Sequence, residues 1–165
     1  MSRNANILGV VAIVGSVMMI ASVFLTWVQI EIEALDFDFT LTGWEVFYEW
    51  GDTISMKYAI VPFLSLICGI IVLALMAIVT FFNHGNYRKM NIIIGAITMV
   101  LALVIIIYSI LFMNKSWDLL IITINLSDYL KYGFWLNMAG SFLAFVGGLV
   151  PVLKKGKLPK PTANE

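Results

Sequence analysis

Charge is missing from the longest stretches of this chain. Four runs, Ile7–Val28, Ala59–Phe82, Ile92–Met113 and Tyr132–Leu153, contain no Asp, Glu, Lys, Arg or His. Ionisable residues inside apolar spans are the usual mark of proton relays, substrate paths and coupled transport, so these runs give no sequence support to such activities. Cysteine is reduced to one residue, Cys68, inside the second run, which excludes an internal disulfide and leaves a small packing residue. Histidine is also single. His84 sits in an Asn-His-Gly setting and cannot build a histidine-based metal cluster. A Ser/His/Asp set fails too, because His84 and nearly all the acids are separated by the apolar runs. P-loop and Gly-rich dinucleotide patterns are absent, as is a nucleic-acid surface. No cofactor is implied.

What remains is strongly apolar. Of the 165 residues, 61% are hydrophobic and 12% charged, against roughly a quarter charged in a soluble domain. Each run matches the length of about 20 residues that a helix needs to cross a bilayer. Four crossings put both termini on one side, with Arg3, Arg88, Lys89, Lys154, Lys155, Lys157 and Lys160 and a single acid, Glu165. The other side holds Glu31, Glu33, Asp36, Asp38, Glu45, Glu49, Asp52, Asp118 and Asp128, with Lys57, Lys115 and Lys131. The positive-inside rule places the basic side in the cytoplasm. The expected fold is an all-α membrane protein with a small β element: a four-transmembrane-helix bundle, N-in and C-in, in the plasma membrane. Residues 1–153 form one domain, with outer loops at 29–58 and 114–131 and a flexible basic tail at 154–165. The first run exceeds the usual 7–15 residue core of a signal sequence and lacks an A-x-A site after it, so it is expected to be a retained helix.

The first outer loop is patterned. Val28, Ile30 and Ile32 alternate with Gln29, Glu31 and Glu33. Beyond Ala34 the phase changes, and Leu35, Phe37, Phe39 and Leu41 alternate with Asp36, Asp38, Thr40 and Thr42. Period-two alternation marks strands with one wet face, so strands at 28–33 and 36–42 form a β-hairpin. A lone hairpin is marginal. A third strand is expected at 121–127, where Ile122, Ile124 and Leu126 alternate with Thr123, Asn125 and Ser127.

Trp27 stands at the end of the first run, and Gly43-Trp44 follows the second strand. With these three residues the chain resembles the claudin-like tetraspan superfamily. Its members have four helices, cytoplasmic termini, a first outer loop with a β-hairpin, a Trp after helix 1 and a later Gly-x-Trp motif. The resemblance covers nearly the whole chain as architecture. The cysteine pair that follows the Trp motif in claudins has no counterpart here, so the resemblance implies a scaffold rather than junction sealing or ion selectivity. The stretch Trp27–Trp44 also looks like small prokaryotic four-helix membrane proteins.

All five tryptophans fall at or beyond the outer boundary. Trp44, Phe47, Tyr48, Trp50 and Trp117 are the candidate interaction residues, with Trp44, Phe47 and Tyr48 on one face of a short helix. Two readings stay open: anchors lying over lipid headgroups, or a protein docking surface. Glu31, Glu33, Asp36 and Asp38 are either a solvated strand face or a weak Ca²⁺ site, since that cation takes oxygen ligands. Gly140, Ala144 and Gly148 recur at four-residue spacing and are candidates for close helix packing, as are Ala12, Ser16, Ser65 and Gly69. Asn137 is expected to hydrogen-bond across helices. Asn114-Lys115-Ser116 and Asn125-Leu126-Ser127 match the glycosylation pattern. The resulting expectation is a non-enzymatic accessory or scaffold subunit that contacts membrane lipid and a membrane-protein partner. The alternative is a homo-oligomeric, cation-preferring channel whose outer carboxylates concentrate cations.

Overall fold

The first helix, α1 (Arg3–Ser22), stops before its apolar run does. This is seen in a computed structural model that describes residues 3–32, 37–49, 59–82, 88–119 and 122–153, with side chains within 9–31, 38–49, 59–81, 89–116 and 125–149. The expected helix through Val28 is therefore too long. Three backbone N–H groups, those of Val23, Phe24 and Leu25, bond three residues back and tighten the terminal turn. The Trp27 indole also donates to the Ser22 carbonyl at 2.7 Å, a second donor on the oxygen that Leu25 N–H already meets at 3.1 Å. Thr26, Trp27 and Val28 are β-branched or aromatic and extend naturally into a strand.

That strand, β1 (Thr26–Ile32), pairs antiparallel with β2 (Phe37–Thr42). Val28 faces Leu41, Ile30 faces Phe39 and Ile32 faces Phe37, while Gln29 faces Thr40 and Glu31 faces Asp38. The two alternating phases read from the sequence are thus aligned, apolar against apolar. A bulge between Thr26 and Val28 adds Trp27 as an extra residue on β1. Consecutive Trp27 and Val28 are both fully buried, which strict alternation forbids and a bulge permits. The expected turn at 33–36 lies outside the described residues.

After β2 comes a short helix, α2 (Gly43–Glu49), then α3 (Val61–Ala77), which ends in a π-helical segment, Ile78–Phe82. The helix α4 (Arg88–Met113) leads into a second hairpin, β3 (Ser116–Leu119) and β4 (Ile122–Asn125). A 3₁₀ turn (Leu126–Tyr129) and α5 (Tyr132–Leu153) follow. The segment expected as a third strand of the first sheet thus takes β3 as its partner, in a separate two-stranded sheet. Its last residues, Leu126 and Ser127, belong to the 3₁₀ turn. Pairing across a short connection closes a smaller loop than pairing with β1 would. The two outer segments still touch: Val28 bridges Leu130, and Lys131 N–H donates to Trp27 O at 2.8 Å.

The described residues are mostly helical. Val61–Phe81 and Lys89–Met113 are long and apolar enough to cross a membrane, and α1 contains a shorter apolar stretch, Gly9–Ser22. The helix α5 packs between α1 and α4, and α3 lies against α1. Ala12, Met19, Val72, Ala102 and Ala144 form a core along the helices, and Trp27, Ile30, Val46, Phe112 and Phe134 form another at the hairpin end. The tail at 154–165 lies outside the described residues.

Candidate interaction surface

The motif residues Trp27 and Gly43 meet at the hairpin end. The indole lies edge-on to Phe112 (6.0 Å, 74°) and to Phe134 (5.6 Å, 84°). Two glycines make room for it. A Cβ on Gly43 would stand 2.7 Å from Trp27 Nε1, and one on Gly133 2.7 Å from Trp27 Cδ1. Those distances are too short for any real side chain, so the indole site requires glycine on both sides. Trp44, the third motif residue, turns outward. Its position is set by backbone bonds from Gly43 N–H to Leu25 O at 3.1 Å and from Trp44 N–H to Val23 O at 2.9 Å. The start of α2 is thereby fixed to the end of α1.

Thr42 and Glu45 form a capping box on α2. The Glu45 carboxylate accepts from Thr42 N–H at 2.7 Å and from its hydroxyl at 2.9 Å, and Glu45 N–H donates to Thr42 Oγ1 at 3.3 Å. Such reciprocal bonds satisfy the free donors of a helix start. Glu45 is therefore a structural acid and not part of an open acidic face. Val46 is buried, Phe47 stacks on Phe63 (4.7 Å, 11°), and Trp44 and Tyr48 remain exposed. Trp50 lies outside the described residues. Trp117 pairs with Ile124 through its strand backbone; its side chain lies outside the described set.

Of the four carboxylates considered for Ca²⁺, Glu31 and Asp38 are directly opposed across the hairpin and exposed. Gln29 donates its side-chain amide to Glu31. Glu33 and Asp36 lie outside the described residues. Among the described residues no group of three or more His, Cys, Asp or Glu is placed to hold a metal ion. Asn114 and Asn125, the two candidate glycosylation sites, are both exposed, and Asn114 Nδ2 donates to Ile110 O at 2.9 Å.

Between the helices, Gly140 lies against Gly15 of α1, and Ala144 is fully buried beside them. Gly148 faces α4, where a Cβ would meet Gly95 O at 2.9 Å. Gly69 faces α1, where a Cβ would meet Ser16 O at 3.2 Å. The small residues of α5 therefore serve two different neighbours. Asn137 joins three helices: Ser65 of α3 donates to its Oδ1, and its Nδ2 donates to Ser109 Oγ of α4 at 3.1 Å. Ser141 donates to Asn137 O at 2.8 Å. All four side chains are fully buried.

Gly15, Gly133, Phe112 and Phe134 were not singled out from the sequence. Glycine inside an apolar helix was the available signal for Gly15. The two phenylalanines carry no signal that separates them from other apolar residues of their runs. No known protein family, curated protein or solved structure matches the chain.

Proposed function

We propose that this protein is a four-helix transmembrane bundle, N-in and C-in, that acts as a non-enzymatic accessory subunit of a membrane-protein assembly. The observation that carries this reading is that the long apolar helices expose large aliphatic and aromatic side chains outside a core that is itself apolar. Large apolar groups point outward along the helices, among them Val14 and Val17 on α1, Ile70 on α3, Ile93 and Val100 on α4, and Phe142 on α5. Glycine, alanine and hydroxyl groups point inward at Gly15, Gly140, Ala144, Ser65 and Ser109. In water the outward arrangement is unfavourable, whereas in lipid it costs nothing and small residues let helices approach closely. Close backbone contact at Gly15 and Gly140 supports a functional surface on the outside, on the helix flanks and the outer end. The claudin-like architecture belongs to this proposal.

The test against the channel alternative is electrical. Purified protein in planar bilayers should carry no cation-selective current above that of empty bilayers. A cation current lost in the double variant Glu31→Gln/Asp38→Asn would replace the accessory reading with the channel.

A further inference from the structure

The outward stripes on the helices have a common ending. On α1, Val10, Val14, Val17 and Ala21 recur at three- and four-residue spacing on the exposed side, and the next step of that spacing is Phe24, 62% exposed. On α5, Phe142 and Ala139 lead in the same way to Trp135, 52% exposed, and Tyr132, 61% exposed. On α3, Ile71 and Ile67 lead to Phe63, which is covered by Phe47 of α2. Above that stack Trp44 and Tyr48, four residues apart on one face of α2, are exposed. The ends of α1, α3 and α5 thus each carry aromatic rings in line with an aliphatic stripe, and α2 adds Trp44 and Tyr48 beside the Phe47–Phe63 stack. The tip of Tyr132 reaches toward the hairpin base, its hydroxyl 3.2 Å from Thr26 Oγ1.

From these positions we infer that Phe24, Trp44, Tyr48, Tyr132 and Trp135 form a lipid collar, seated in the headgroup–acyl boundary of the outer leaflet. The Trp and Tyr rings, with an apolar body and a polar tip, suit that boundary, and the wholly apolar Phe24 suits its acyl side. The aliphatic stripe of α4 from Met90 to Leu111 spans about 32 Å at helical rise, close to the thickness of a bilayer core. The collar divides the outer end by depth. Glu31 and Asp38 lie beyond the collar on the exposed face of the hairpin, and their charge keeps that face in water rather than lipid. The partner surface of the proposed accessory subunit is then the polar hairpin face around Gln29, Glu31, Asp38 and Thr40, and Trp44 and Tyr48 are occupied by lipid. This inference rests on the transmembrane reading above.

Nitroxide labels give the test. Full-length protein carrying Cys68→Ala and one new cysteine (Trp44→Cys, Tyr48→Cys, Trp135→Cys, Val14→Cys or Asp38→Cys) is labelled and reconstituted in phosphatidylcholine vesicles. Collision rates with oxygen and with a water-soluble nickel chelate then report depth. The collar predicts intermediate depth at 44, 48 and 135, between a deep Val14 site and a water-exposed Asp38 site. Labels at 44 and 48 as open to nickel as Asp38 would overturn the collar and return these residues to protein docking. Labels there shielded from both reagents would overturn it in favour of a second copy covering them. A Val14 label open to nickel would instead overturn the transmembrane reading itself.

Discussion

Gly15 and Gly140 touch through their backbones. A Cβ on Gly15 would come 2.5 Å from Gly140 O, and a Cβ on Gly140 would come 2.6 Å from Gly15 O. The relationship is reciprocal, so neither helix can give way without separating α1 from α5. Ala144 stands one turn further along the same face, and a Cβ on Gly15 would come 2.6 Å from its backbone N.

Leucine at either glycine should therefore destabilise the protein, by about 1–3 kcal/mol or more for an overpacked site. Phe142, exposed on the other side of α5, should accept alanine with little effect. Thermal unfolding in detergent checks both. Equal melting of Gly15→Leu, Gly140→Leu and wild type would contradict the seam.

The Asn137 bonds connect three helices rather than two. Asn137→Ala leaves the hydroxyls of Ser65 and Ser109 without their shared partner, and interhelical bonds of this kind are worth about 0.6–2 kcal/mol each. Ser141→Ala removes only a bond within α5 and should cost much less. Denaturation in mixed micelles should rank the variants in that order, and the reverse order would show that Asn137 does not hold the helices together.

Much of this arrangement can be read from residue patterns, and the misses have definite causes. Alternation across Val28–Ile32 and Phe37–Leu41 marks the hairpin, and Val28, Ile30 and Leu41 are buried while Glu31, Asp38 and Thr40 are exposed. The end of α1 was not legible, since Val23–Val28 is apolar whether helical or extended, and hydropathy does not separate the two. The end is marked by three tightened backbone bonds and by the Trp27 indole on Ser22 O, contacts that no periodicity encodes. β4 was recognised as a strand, but its partner was not. β3 is only the four residues Ser116–Leu119, too short for alternation to stand out. Gly140 and Gly148 were visible as small residues at regular spacing. That they face different helices depends on how the runs are arranged in space, to which spacing along one run is blind.

The proposed topology has its own test, set by the sorted charges. In intact cells, Asp38→Cys and Asp128→Cys in a Cys68→Ala background should react with a membrane-impermeant thiol reagent, since both positions are exposed on the acidic side. Lys89→Cys, at the basic end of α4, should react only after permeabilisation. Labelling of Lys89→Cys in intact cells, or protection of the other two, would rule out N-in and C-in.

The central claim is that this bundle works by association with another membrane protein. The most direct measurement is the mass and composition of the particle obtained when the tagged chain is purified from its native membrane in mild detergent. The account predicts a hetero-complex, with a second integral membrane polypeptide in fixed stoichiometry that persists through size exclusion. Neutralising Glu31 and Asp38 should weaken that complex while leaving the bundle folded. A particle containing only copies of this chain, or a monomer, would contradict it.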